Sequence, residues 1–299
     1  MKIGFVGLGS MGGALAQRLQ LTHPLQVYDL NPEAVARMVQ QGATSSPSLA
    51  ALGAECDVVM LCLPTSEHVR AAIFGNQGLA TSMRAGTLIV DQTSGDPTIT
   101  RSIAAELLAR GIEMVDAPVS GGPAGATAGT IAIMVGAAQA QYERILPVLQ
   151  AISPNIFYAG EVGTGHVAKL ANNLLAGGQR LLSLEAIALA VKNGIAPEKA
   201  VDIIMASSGR NFFVETFMKS HIISGKLASG FSLGMLHKDI RLACKLGDDS
   251  GVSLTFGNQI KSFYQMAIND LGENGQVNSV ALTVDRLSNT HVVPVGKSD

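Results

Sequence analysis

A chain of 299 residues with 47 % hydrophobic and 15 % charged residues has ample apolar surface for a core, which excludes a disordered protein and makes two domains the starting expectation. A formal net charge of −2, 4 % aromatic residues and no tryptophan argue against a nucleic-acid partner, which would need a basic patch or a stacking platform. Three cysteines, Cys56, Cys62 and Cys244, are an odd number without a C-x-x-C pair, so a reducing, cytoplasmic setting is expected rather than a disulfide framework.

Read in chain order, the first half alternates between two hydrophobic periods. Lys2 to Val6 is a short β-rich run, too brief and too broken by glycine for a signal sequence. A helix-compatible segment follows from Met11 to Leu21, then a strand at Leu25 to Tyr28. Pro32 to Gln41 reads as a helix with Asn31 as N-cap and Pro32 at the first helical position. Continuous apolar runs at 57–63, 87–90, 111–115 and 131–135 predict strands buried on both faces, the mark of a mainly parallel sheet. After Phe157 the strand signal stops. From Gly165 to Lys192 the pattern is helical, which at 1.5 Å per residue predicts a rod of roughly 40 Å. Its apolar centre, Leu174 to Val191, is interrupted by Gln179, Arg180, Ser183 and Glu185, so it reads as a buried or amphipathic helix and not a membrane span. Helical segments continue to about Leu287. The expected architecture is α/β: a Rossmann-type domain over 1–161, then an all-helical domain over 162–299.

Gly7-Leu8-Gly9-Ser10-Met11-Gly12 has G-x-G-x-x-G spacing between a predicted strand and a predicted helix. Gly7 permits the tight turn, Gly9 lets a pyrophosphate approach the backbone, and Gly12 allows close helix–strand packing. The helix start offers free N–H groups to the phosphates. Asp29 lies 17 residues after Gly12, where an acid would bind the adenosine ribose and repel a 2′-phosphate. No Arg or Lys follows it in Leu30-Asn31-Pro32, so NAD is expected over NADP. The bland alternative is a βα turn without a ligand. Leu63, Pro64 and Thr65 stand at a strand's C-terminal end, where such sheets place cofactor-facing loops; Thr93 and Ser94 follow the next strand, and His68 follows the Leu63 loop. The six histidines form no H-E-x-x-H or Cys/His cluster, so no metal is expected.

Four blocks now resemble the β-hydroxyacid dehydrogenases, a family that includes 3-hydroxyisobutyrate dehydrogenases and tartronate semialdehyde reductases. They are the glycine-rich turn; Asp116-Ala117-Pro118-Val119-Ser120-Gly121-Gly122; Gly160 to Asn173; and Phe231-Ser232-Leu233 leading to Lys238-Asp239. The resemblance runs from Ile3 to about Leu287. Taken alone, Ser120-Gly121-Gly122 is either an ordinary turn or a loop whose bare amides hold a carboxylate. Lys169 and Asn173 share a helix face, and such a lysine is either a surface residue or a buried, working one. The resemblance implies that Ser120, Gly121 and Gly122 bind substrate, that Lys169 is the catalytic acid/base, and that Asn173 orients it and the substrate. It also implies that Phe231 and Lys238 serve the cofactor, although Lys238-Asp239 reads equally as a solvated pair. An ordinary lysine, near 10.4, is a good acid but a poor base at neutral pH, so oxidation is expected to quicken at alkaline pH unless burial intervenes.

The implied reaction oxidises a small 3-hydroxy carboxylate to its semialdehyde. Ser207 to Phe213 lies where the family varies its pocket; Arg210 there could grip a carboxylate or face water. Its two phenylalanines favour 3-hydroxyisobutyrate over the partner alcohol of tartronate semialdehyde, with serine and threonate as further substrates. Lys169 argues against an imine reductase, and the short helical half against a 6-phosphogluconate dehydrogenase. A non-catalytic nucleotide-binding protein of the same fold is the reading from a different class. The apolar, charge-poor helical half suggests a homodimer or homotetramer.

Overall fold

In the computed structural model, which describes residues 1–294, strands and helices alternate through the first half. The order is β1 (Ile3–Val6), α1 (Ser10–Gln20), β2 (Leu25–Tyr28), α2 (Pro32–Gln40), β3 (Thr44–Ser45), α3 (Leu49–Glu55), β4 (Val58–Leu61), α4 (Ser66–Phe74), β5 (Leu88–Asp91), α5 (Pro97–Leu108) and β6 (Glu113–Asp116). There follow β7 (Val119–Ser120), α6 (Gly122–Ala128), β8 (Ala132–Gly136), α7 (Gln139–Ile152) and β9 (Ile156–Gly160). Asn31 caps α2 by accepting from the Glu33 N–H at 3.0 Å, with Pro32 in the first turn as expected.

The sheet order is β3-β2-β1-β4-β5-β6-β8-β7, with β9 on β8. Strands β1 to β6 pair in parallel, whereas β8 runs antiparallel to β6 and β7. In β1, β4 and β5 every residue is buried, and alternate side chains enter two different cores. Phe5, Met60 and Val90 enter one; Val6, Leu61 and Ile89 enter the other. This is why the sequence shows continuous apolar runs rather than alternation. The chain leaves β1 for β2 on one side and later returns to β4 on the other, which opens a crevice at the C-terminal ends of β1 and β4.

The sequence does not announce β3, β7 or β9. The first two have two residues each, too few for a period. In β9, Phe157 and Tyr158 are exposed, and its partner is β8, in parallel. Only that pairing makes it a strand.

The long helix α8 (Thr164–Lys192) has the expected extent. The chain divides into two compact units, one ending at Lys169 and the other starting at Leu170. In the second unit α8 is followed by α9 (Pro197–Met205), a π-helical turn at Val214–Ile222, α10 (Leu233–Ser250), α11 (Thr255–Leu271) and α12 (Val280–Ser288). With a mean hydropathy of 1.4, α8 is apolar enough to cross a bilayer. Its Leu181, Leu184, Ile187 and Ala188 enter the core of the helical unit, beside Phe213, Ile240 and Tyr264. Gly177 and Gly178 permit that approach, since a Cβ on either would stand 2.9 Å from an isoleucine methyl of Ile240 or Ile260.

Candidate active site

The three glycines of the turn after β1 meet three different surroundings. Gly7 adopts φ +91°, and a Cβ there would overlap the Cys62 carbonyl. A Cβ on Gly12 would overlap the Gly7 carbonyl and stand 3.1 Å from the Cys62 Cβ. A Cβ on Gly9 would meet nothing within 4 Å. Gly7 and Gly12 are therefore required by the fold, whereas Gly9 faces open space at the start of α1, where a pyrophosphate would sit.

That space is a cleft of about 400 Å³ lined by Leu8, Gly9, Ser10, Asp29, Asn31 and Arg37 among others. Asp29 braces its floor: the carboxylate accepts from the Leu8 N–H at 2.6 Å and the Asn31 N–H at 2.7 Å. Met11 is half-buried against the sheet core. Arg37, one turn into α2, also lines the cleft, beyond the Leu30-Asn31-Pro32 tripeptide that offers no cation after Asp29. The open Gly9 face and the acid on the cleft wall fit a dinucleotide.

Leu63, Pro64 and Thr65 follow β4, with Pro64 exposed. Thr93 is buried, and its hydroxyl accepts from the Leu63 N–H at 3.1 Å, so it braces the loop. Ser94 beside it is half-buried. Thr65 caps α4, its hydroxyl 2.9 Å from Nδ1 of the exposed His68. Ser120-Gly121-Gly122 forms the turn from β7 into α6 with φ +139° at Gly121 and +69° at Gly122. A Cβ on Gly122 would meet nothing within 4 Å, so no neighbouring atom covers that side of its backbone.

Of the two readings for Lys169, the structure takes the buried one: it is 8 % exposed. The start of its helix is held by groups the sequence does not connect. Asp116, buried at the end of β6, accepts from the Gly163 N–H at 2.5 Å and the His166 N–H at 2.7 Å. Burial raises the Asp116 carboxyl above its ordinary value, opposed by nearby His166 and by these two N–H donors. His166, fully buried, places Nε2 3.4 Å from Oδ2 of Asp91 at the end of β5. Both carboxylates thus grip the start of α8, at Gly163 and His166, six and three residues ahead of Lys169.

In the helical unit Asn173 is buried, and its Nδ2 donates to Asp239 Oδ2 at 2.6 Å. Asp239 Oδ1 stands 3.2 Å from Lys238 Nζ. Asp239 is itself buried and Lys238 is 18 % exposed, so this is not a solvated pair. Asp239 holds the Asn173 Nδ2, while the Asn173 Oδ1 accepts from Asn172 Nδ2 at 3.0 Å. Phe231 is half-buried against the core of this unit. Arg210 faces water, 60 % exposed and 3.1 Å from Glu215. No group of three His, Cys, Asp or Glu among the described residues could hold a metal.

A doubly wound sheet with an open glycine turn and an acid on the cleft wall, continued by a helix bearing a buried lysine, defines a nicotinamide-dependent oxidoreductase. Family models agree: one described as the NAD binding domain of 6-phosphogluconate dehydrogenase matches residues 2–160, and one described as NAD-binding of NADP-dependent 3-hydroxyisobutyrate dehydrogenase matches 163–283. The chain is 41 % identical to 2-(hydroxymethyl)glutarate dehydrogenase of Eubacterium barkeri, over 85 % of each chain. It is 37 % identical to 3-hydroxyisobutyrate dehydrogenase of Pseudomonas aeruginosa, over 81 % of this chain and 83 % of that one. The solved structure of Mycobacterium tuberculosis 3-hydroxyisobutyrate dehydrogenase with L-serine superposes with a TM-score of 0.87 at 29 % identity, covering 95 % of this chain and 98 % of that one. The chain belongs to the β-hydroxyacid dehydrogenase family. It is an NAD-dependent dehydrogenase acting on the CH–OH group of a hydroxy acid.

Proposed function

We propose that the enzyme interconverts a small 3-hydroxy carboxylic acid and its semialdehyde, with Lys169 as general acid/base and 3-hydroxyisobutyrate as the reference substrate. Residues 1–161 bind NAD, and 162–299 complete the substrate site and the oligomer. The observation that carries this reading is the burial of Lys169 on a helix whose first turn is gripped by Asp91 and Asp116. A lysine held away from water at a fixed height can accept or return one proton at one atom. The bound nicotinamide supplies hydride transfer. The bare amides of Gly121 and Gly122 and the Ser120 hydroxyl hold the substrate carboxylate. Asn173, locked by Asp239, orients the reacting hydroxyl. Gly7 to Gly12, Asp29, Leu63 to Thr65, His68, Thr93 and Ser94 are assigned to the cofactor, and Phe231 and Lys238 to its nicotinamide end.

Relatives named for 3-hydroxyisobutyrate and 2-(hydroxymethyl)glutarate share a hydroxyl two carbons from a carboxylate, which supports the substrate class. Leu175, Leu182 and Leu189 recur every seven residues along α8 and are each more than 60 % exposed, which supports a homodimer or homotetramer. Three free cysteines fit a cytoplasmic location. The test is NAD-linked oxidation of 3-hydroxyisobutyrate, glycerate, serine, threonate and 3-hydroxypropionate, with Lys169→Met alongside. General acid/base catalysis contributes about 10²- to 10⁴-fold, and kcat is expected to fall by that factor while NADH still binds. A folded Lys169→Met enzyme with near-normal turnover would remove lysine from the mechanism.

A further inference from the structure

Arg180 lies on α8, seven residues and two helical turns beyond Asn173, so the two share a face about 10 Å apart along the axis. It is more than nine-tenths buried. Its guanidinium carbon stands 5.0 Å from the Phe213 ring centre and 5.7 Å from that of Phe217. The segment carrying Phe213 is tied to α8 beside it, Asn211 Nδ2 donating to Ser183 Oγ at 3.1 Å. The stretch that the sequence marks as the variable pocket therefore closes around Arg180, while its own Arg210 points to water.

The surroundings of Arg180 are neutral. Among the described residues no carboxylate pairs with it, and its buried Nε has no hydrogen-bond partner. Tyr264, the ionisable oxygen near it, is fully buried, and burial raises its phenol above the ordinary value against the charge of Arg180 and a hydrogen bond from its guanidinium. The phenol stays neutral and supplies no counter-charge. Two aromatic faces stabilise a cation without using its N–H donors, and a neutral phenol accepts from the guanidinium without balancing its charge, so Nε stays unanswered. A buried guanidinium without an anion is costly to maintain, and removing that cost requires a planar, bidentate acceptor.

We propose that Arg180 binds a second acidic group on the substrate, so that the preferred substrate is a 3-hydroxy acid whose side arm ends in a carboxylate. The arm length follows from the helix. A long side chain leans towards the helix N-terminus, which shortens the separation between the Arg180 guanidinium and the Asn173 turn. An arm of two or three carbons bridges what is left. This inference rests on the assignment of Lys169 and Asn173 to the reacting end, and it adds the far end.

The test uses two size-matched substrates, 2-(hydroxymethyl)glutarate and 2-(hydroxymethyl)pentanoate, which differ in a terminal carboxylate against a methyl. Wild-type enzyme is expected to favour the dianion in kcat/KM by about 10- to 100-fold, the range of one charge-assisted contact. In Arg180→Met the preference falls to near parity through a higher KM for the dianion, with the monoanion changed less than threefold; Arg180→Lys recovers part of it. An unchanged preference in Arg180→Met, or a wild-type preference for the monoanion, overturns the proposal. Thermal shifts of the NADH-loaded protein with glutarate and with pentanoate provide a readout without turnover. Selective stabilisation by glutarate that is lost in Arg180→Met supports the site, and equal shifts overturn it. Lysine-dependent turnover of both compounds at equal efficiency would leave the Lys169 reading standing and remove only the second anion site.

Discussion

Two alanine substitutions, at Gly12 and at Gly9, separate fold from cofactor binding within one turn. In Gly12→Ala the new methyl overlaps the Gly7 carbonyl and presses on the Cys62 Cβ, and neither backbone partner can swing aside as a side-chain end would. Overpacking costs about 1–3 kcal/mol, and a clash with main chain belongs at the upper end. At about 2–4 °C per kcal/mol for a unit of this size, Tm should fall by about 6–12 °C. In Gly9→Ala the methyl meets no protein atom, and φ −64° suits alanine. The stability cost is no more than about 1 kcal/mol, the difference between glycine and alanine as helix N-cap. The methyl does occupy the approach of the pyrophosphate. Losing one contact to a charged oxygen costs about 1.5–3 kcal/mol, which raises the Kd for NADH about 10- to 100-fold. Calorimetric melting and NADH fluorescence titration on both variants read the two effects. Wild-type NADH affinity in Gly9→Ala would refute the placement of the pyrophosphate, and a wild-type Tm in Gly12→Ala would refute the packing argument.

Asp29→Asn keeps an acceptor for the Leu8 N–H but removes the negative charge on a cleft wall that also carries Arg37. The ratio of NAD to NADP efficiency should fall at least tenfold, measured by kcat/KM with each, and an unchanged ratio would mean that Asp29 does not select the cofactor. Asp239→Ala deprives buried Asn173 and mostly buried Lys238 of their shared acceptor, and urea unfolding should show a loss of about 3 kcal/mol, with a loss under about 0.5 kcal/mol counting against the coupling. Burial pushes the Cys56 thiol up to about 11, helped by the charges of Glu55 and Asp57. Because the folded value exceeds the unfolded one near 9, this thiol's contribution is fully present below pH 9 and is lost as pH rises to 11. Cys56→Ala should therefore flatten the decline in stability between pH 9 and 11, and an equally steep decline in the variant would assign the slope to other groups.

Much of the sheet and the cofactor turn was legible in the sequence because their causes are local. Buried parallel strands need uninterrupted apolar runs, so β1, β4 and β5 are visible as such. The glycine turn and the Asn31–Pro32 helix start depend on residues within a few positions of one another, and spacing alone displays them. Lys169, Asn173 and Ser120 were reached through the resemblance, since neither helix spacing nor turn composition separates a working residue from a surface one.

What the tertiary structure alone decided is which charges are buried and who answers them. The N–H of His166 reaches Asp116 across 50 residues, and Asn173 reaches Asp239 across 66. These links exist because β5 and β6 are neighbours in the sheet and because α10 packs within the helical unit, neither of which is a local property. The two arginines show the same limit. Arg210 drew attention by its position in a variable segment, yet it pairs with Glu215 in water. Arg180, which in sequence only marked α8 as too polar for a membrane, is the arginine enclosed by aromatic rings. Local periodicity sets which face of a helix is apolar, but only the packing of distant segments determines where a charge is removed from water and left for a ligand to meet.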